Sequence, residues 1–145
     1  MAGQDKRKFA DQFIAALPHS KALGMGVDDL GENWVQLSMP YDPRFVGDPQ
    51  TGVIHGGAIS ALMDTCSGAA VLIHPDCEGT ATLDLRIDYM RAATPGQRLV
   101  ARAECYHVTR SVAFVRAKAM DDDRDSPVAS ATGAFTFARA KGGAS

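Results

Sequence analysis

Residues 55–75 read HGGAISALMDTCSGAAVLIHP. From about Gly57 to His74, Ala58, Ile59, Ala61, Leu62, Met63, Cys66, Ala69, Ala70, Val71, Leu72 and Ile73 cover nearly every face of one helix, the pattern of a helix buried all round. Pro75 ends it, because the residue before a proline is driven out of the helical region. This helix is the expected central rod of the core. Its few polar residues, Ser60, Asp64 and Ser67, fall at i, i+4 and i+7 on one narrow stripe. A carboxylate buried without partners costs several kcal/mol, so Asp64 either faces water or is kept for a chemical purpose.

Gly56 and Gly57 stand at the start of this helix. A helix N-terminus presents unpaired N–H groups carrying about half a positive charge, and glycine there lets a substrate atom approach the backbone closely. A loop that needs positive φ is the plainer account of a Gly-Gly pair, and pattern alone leaves both open. Gly56 and Asp64 are separated by about 12 Å along a helix, too far to touch one carbonyl group together. If both act, the amide comes from one subunit and the carboxylate from another, in a two-fold dimer with two identical sites.

Upstream, Phe9, Phe13, Ile14 and Leu17 recur at helical spacing across residues 5–17, with Lys6, Lys8, Asp11 and Gln12 on the other faces and Pro18 as the stop. Residues 34–39 alternate and form a strand pair with the weakly patterned segment before them, turning near Gly31. Residues 40–53, PYDPRFVGDPQTGV, read as a long loop into the helix. Downstream everything is strand-like. Residues 81–91 alternate Leu83, Leu85, Ile87 and Tyr89 against Thr82, Asp84, Arg86 and Asp88. TPGQ turns into a strand over 98–108, another follows over 111–120, and DDDRDSP leads to a last strand over 128–138 before a frayed tail, about 139–145. Consecutive strands on short turns imply an antiparallel sheet, so the fold class is α+β, a long central helix wrapped by a curved antiparallel sheet.

The chain has 145 residues, one domain's worth, and no internal repeat or linker divides it. A net charge of −2 gives no general pull toward nucleic acid or an anionic membrane, so an anionic ligand must be met locally. Cys66, Cys77 and Cys105 match no zinc or redox spacing, and His19, His74 and His107 lack metal-ligand spacing, so no metal is expected. The charged N-terminus is unlike a signal peptide and no segment is long enough for a membrane span. A cytoplasmic protein with reduced thiols is the expectation.

The segment GVIHGGAISALMDT, with TATLDLRIDYMRAATPG downstream, resembles the hotdog-fold acyl-CoA thioesterases of the PaaI- and THEM2-like group, over about residues 30–138. The resemblance implies the hotdog fold, hydrolysis of a small aromatic or medium-chain acyl-CoA, and sites between the subunits of a homodimer or of a dimer of dimers. No cofactor is implied, coenzyme A being part of the substrate. Carried onto this chain, it implies that the Gly56 amide polarises the thioester carbonyl while His55 shapes the turn. Asp64 from the facing subunit acts as general base or nucleophile, and Thr82 positions the water or the acid. Gly57, Gln50, Arg91 and Arg110 are implied as substrate-binding residues, the arginines for coenzyme A phosphates. Where the family usually has Asn or Gln, six residues before His55, this chain has Pro49, with Gln50 and Asp48 as its neighbours. A hotdog hydratase or dehydratase, and an acyl-CoA binder without catalysis, are the rival expectations.

Overall fold

The structure, a computed structural model, describes residues 3–139, so the tail beyond Arg139 and the first two residues lie outside the described residues. Three helices and ten strands follow in chain order among the described residues: α1 (Gly3–Ala16), α2 (Pro18–Ala22), β1 (Gly26–Leu30), β2 (Trp34–Met39), β3 (Val46–Asp48), β4 (Val53–Ile54), α3 (Gly56–Leu72), β5 (Cys77–Gly79), β6 (Thr82–Tyr89), β7 (Leu99–Val108), β8 (Val112–Met120), β9 (Ala129–Thr136) and β10 (Ala138–Arg139). The strands β1-β2-β7-β8-β9-β6, in that spatial order and all antiparallel, form one six-stranded sheet. α3 lies across it, packed mainly on β7, β8 and β2. The expected helix-on-sheet α+β architecture is therefore the one observed.

The core is the apolar side of α3 against the inward-facing residues of the sheet. Ile59, Leu62, Met63, Cys66 and Val71 meet Val35, Leu37, Met39, Leu99, Val115 and Phe135, all buried. Burying one such large side chain stabilises by about 1.5–3 kcal/mol. Cys66 adds a polar tether, its thiol donating to the carbonyls of Val35 (3.2 Å) and Ala101 (3.4 Å) on neighbouring strands.

Several boundaries differ from the pattern reading, each for a physical reason. α3 is not buried all round: Ala61, Asp64, Thr65, Gly68 and Leu72 form a half-buried stripe facing away from the sheet. Pro18 is more than a stop. Its fixed φ suits the first helical turn, and it opens the short helix α2. Lys6 lies on the buried side of α1 with Ala10 and Ile14, its Nζ donating to the Glu32 carbonyl at 3.0 Å. Residues 40–53 are not one loop but a 3₁₀ turn (Pro43–Phe45) and the β3–β4 hairpin. The hairpin is closed by the Asp48 carboxylate, which accepts from the Gln50 amide (3.0 Å) and the Thr51 hydroxyl (2.8 Å), and by Gly52 at φ +78. The last strand is two, β9 and β10, the latter pairing with β5.

The edges of the main sheet are unlike. β1 is backed by α1, whereas β6 has its outer side open and carries Leu83, Tyr89 and, just beyond, Met90, at 59%, 52% and 62% exposure. Bare edges with large apolar side chains are ready to pair with another strand.

Candidate active site

α3 begins with its own side-chain cap. His55, in an extended conformation (φ −59, ψ 135), accepts the Gly57 N–H on its ring Nδ1 at 2.8 Å, and its carbonyl accepts from Ala58 at 3.0 Å. The ring proton therefore sits on Nε2, and the imidazole acts as a helix cap. Between these two satisfied amides and the strand before them, the Gly56 N–H has no partner among the described residues. Tyr89, at the far end of β6, leans on the same turn. Its hydroxyl donates to the Gly56 carbonyl at 3.0 Å, and a Cβ at Gly56 would stand 3.3 Å from its ring. The arrangement is one outward-facing amide on a turn held by His55 from within and Tyr89 from the side.

Two turns along α3 the chemistry changes. The Thr82 hydroxyl donates to Asp64 Oδ1 at 2.7 Å, and Oδ2 has no partner among the described residues. How Thr82 reaches the helix is not visible in its alternation. Strict period two would place it outward with Asp84, Arg86 and Asp88, but a register shift between Thr82 and Asp84 pairs Thr82 with Phe135 and Asp84 with Ala134. This bulge turns Thr82 to the inner face beside buried Phe135. Gly133 accommodates it, since a Cβ there would come within 2.6 Å of the Asp84 carbonyl oxygen. Asp64 and Thr82 open onto a cleft of about 180 Å³ lined by Phe13, Leu17, Gly68, Leu72 and Phe135 among others. Of the expected stripe only Asp64 faces this cleft. Ser60 donates to the Gly57 carbonyl at 2.9 Å, and Ser67 is buried.

Other sequence candidates are placed differently. Arg91 was expected at the phosphates, but its guanidinium makes five hydrogen bonds, to Asp121, the Ser126 carbonyl and the Ala92 carbonyl. Asp121, 1% exposed, also accepts from Thr94 and the Asp123 amide, and the Arg91 guanidinium holds its carboxyl well below the usual carboxylate range. Arg91 is thus a structural link between the β6 end and the β8–β9 loop, because a buried carboxylate requires a counter-charge. Arg110 is exposed in the β7–β8 turn, at the same end of the sheet as Thr82, and its carbonyl accepts from Arg139. Asp48 is committed to its own hairpin, and the Thr51 hydroxyl and Gln50 amide hold its carboxyl below the ordinary value. Gln50 itself is exposed on that hairpin.

The residue missed in sequence is Tyr89, which appears there only as one of the alternating residues of its strand; an aromatic seven positions after Thr82 was the available signal. The Cys66 thiol, two residues beyond Asp64 on α3, is no rival nucleophile, since burial pushes it up to about 12. Among the described residues no group of His, Cys, Asp and Glu has the arrangement of a metal site. None of the described helices is long and apolar enough to cross a membrane.

Residues 51–128, which hold His55, Gly56, Asp64, Thr82 and Tyr89, match the family model described as the Thioesterase superfamily. The medium/long-chain acyl-CoA thioesterase YigI of Escherichia coli K12 is 26% identical over 148 aligned residues, covering 92% of this chain and 94% of that protein. A Pseudomonas aeruginosa protein of known crystal structure is 42% identical, with a TM-score of 0.83, over 92% of this chain and 99% of its own. The E. coli PaaI protein from the phenylacetic acid degradation operon, 18% identical over 95% of this chain and 96% of its own, superposes with a TM-score of 0.85 and shows the same fold. With a long helix on an antiparallel sheet, an acid held by a threonine and a bare amide at the helix start, the chain belongs to the thioesterase superfamily as a PaaI-like hotdog thioester hydrolase.

Proposed function

We propose that the thioester cleaved is an acyl-coenzyme A of small aromatic or medium-chain type, and that each site is shared by two copies of the chain. The observation that carries this is the placement of the two half-sites at opposite ends of β6: Asp64 bonded to Thr82 at its start, Gly56 bonded to Tyr89 at its end. Within one chain they are about 12 Å apart along α3. If β6 pairs antiparallel with its own copy about its midpoint, Thr82 of one chain comes opposite Tyr89 of the other. The carboxylate of one subunit then faces the Gly56 amide of its mate, twice over. The open edge of β6 and its exposed Leu83 and Met90 support that pairing. A homodimer is the smallest assembly that completes the site, and a dimer of dimers would carry four.

In this arrangement the Gly56 N–H, at the positive end of α3, donates to the thioester oxygen and stabilises the charge that develops there as the carbonyl is attacked. Thr82 fixes one oxygen of Asp64 and leaves the other to take a proton from the attacking water, or to attack the carbonyl itself, expelling the coenzyme A thiolate and leaving a mixed anhydride that water then hydrolyses; either route ends in free acid and coenzyme A. Coenzyme A brings phosphates, for which Arg110 is an exposed cation at the Thr82 end of the sheet, with Gly57 and Gln50 as further contacts. The three cysteines are free, in keeping with a cytoplasmic setting.

Hybrid dimers test the shared site. Asp64→Ala removes one half, and Gly56→Pro removes the other half's N–H; His55 already has the extended backbone that must precede a proline, and a helix tolerates proline in its first turn. Each variant alone is expected to fall to about a hundredth or less of wild-type thiol release from acyl-CoA. Mixed after subunit exchange, about one hybrid in every two dimers carries one intact site, so activity returns to roughly a quarter of wild type. No recovery despite measured exchange would overturn the two-chain site, and binding of acyl-CoA without thiol release by the wild type would leave a binder in its place.

A further inference from the structure

We infer that the cleft beyond Asp64 is the subsite for the acyl chain, that Gly68 sets the width it accepts, and that Phe13 and Leu17 of the N-terminal helical segment form its end wall. This rests on the acyl-CoA reading above and adds which residues select the acyl group.

The cleft is lined along one stripe of α3 by Asp64, Gly68 and Leu72, each one turn beyond the last. It therefore extends about 12 Å from the carboxylate, along the helix and away from the Gly56 end. Phe13 and Leu17 line it from α1 and the residue after it, and Phe135 lines it from β9. Asp64 is the one charged residue among those that line it. An uncharged open-chain hydrocarbon suits such a slot, and a chain ending in a carboxylate does not, since no cation lines the cleft among the described residues and Asp64 repels it.

Gly68 has no structural reason of its own within the chain. Glycine is the poorest helix former after proline, and Gly68 lies inside a 17-residue helix, four residues before its last, with ordinary helical neighbours. A Cβ built there meets nothing within 4 Å, so its methyl position points into open space in the cleft. By contrast Gly133 is excluded from carrying a side chain by the backbone opposite it. What an added side chain at position 68 would displace is whatever lies in the cleft.

The test is a competition among acyl lengths, read as a ratio so that general loss of activity cancels. The ratio of kcat/KM for octanoyl-CoA to that for acetyl-CoA should fall modestly in Gly68→Ala and by about tenfold or more in Gly68→Leu, since one methylene's worth of misfit is worth roughly that factor. Phe13→Ala should raise the ratio for palmitoyl-CoA over octanoyl-CoA, and wild type should prefer hexanoyl-CoA to adipyl-CoA. Because replacing a mid-helix glycine favours the helix, Tm should hold or rise in Gly68→Ala. Equal losses on acetyl-CoA and octanoyl-CoA, or a Gly68→Ala protein that no longer forms the wild-type oligomer, would overturn the inference and make Gly68 a packing residue between subunits. Calorimetric titration with octyl-CoA, a thioether that is not hydrolysed, separates the two layers. Binding that is lost in Gly68→Leu upholds the subsite even where no hydrolysis is seen; binding equal in both proteins removes it.

Discussion

In the proposed site the two ends of β6 serve one reaction by opposite means. At Thr82 a hydroxyl meets a carboxylate, side chain to side chain, at 2.7 Å. At Tyr89 the group proposed to act is a main-chain amide, and the side chains of His55 and Tyr89 hold the backbone that carries it. One end is chemistry by residue type, the other chemistry by the absence of a side chain. Substitutions should therefore act through identity at one end and through backbone geometry at the other.

Asp64→Asn should produce the largest effect, lowering kcat by about 10²–10⁴, the range expected when a positioned general base is lost. Thr82 can still donate to the amide oxygen, so the fold and the melting temperature should stay near wild type. Activity within threefold of wild type would remove the carboxylate from the reaction and break the contrast at its stronger end. Gly56→Pro comes next, at about 10²–10³ in kcat, the usual cost of one missing oxyanion donor. Gly56→Ala keeps the N–H and sharpens the comparison. With its Cβ 3.3 Å from the Tyr89 ring, it asks for a shift of tenths of an ångström, so its loss should be much the smaller of the two. Equal losses in the two variants would mean that crowding, not the amide, is what matters at this end.

How far these ends were legible in sequence follows from the same contrast. Asp64 announced itself as a charge in an apolar helix, and the helix and sheet announced themselves by period. The half-buried stripe of α3 did not, because Ala61 and Leu72 counted among the apolar faces of a buried helix, and Thr65 and Gly68 carried no pattern that marked a cleft beside them. Thr82 was placed on the wrong face, since alternation carries no sign of a bulge; its signature lies fifty residues away, in the bare Cα of Gly133. Arg91 looked like a free strand-end cation because its partner, Asp121, sits inside an acidic run that reads as solvated loop. In each case the missing information was a contact between segments far apart in the chain.

Gly133→Ala tests whether the bulge, rather than Thr82 alone, places the hydroxyl. Its Cβ would press on a backbone carbonyl that cannot rotate away, so the strand pair must shift or lose the bulge. The expected result is a kcat loss comparable to Thr82→Val, roughly 10- to 100-fold for a hydrogen bond to a charged group, but with a lowered melting temperature that Thr82→Val lacks. A Gly133→Ala protein that is destabilised yet fully active would show that Thr82 finds Asp64 without the bulge.

Tyr89→Phe should have the smallest effect of the series, and for that reason it is the most discriminating. The ring stays against Gly56 and only the hydroxyl's 3.0 Å bond to the Gly56 carbonyl is lost. A neutral hydrogen bond at an exposed site contributes about 0.5–1.5 kcal/mol, which bounds the loss at roughly two- to tenfold. That loss should appear in kcat and leave KM nearly unchanged, because the turn's orientation matters most when charge has developed on the thioester oxygen. In the hybrid dimers the same substitution should act only when it is on the chain that supplies Gly56, and be silent on the chain that supplies Asp64. An effect on both chains alike would place Tyr89 in the pairing of the β6 edges, and the contrast between the two ends of that strand would then be one of assembly instead of chemistry.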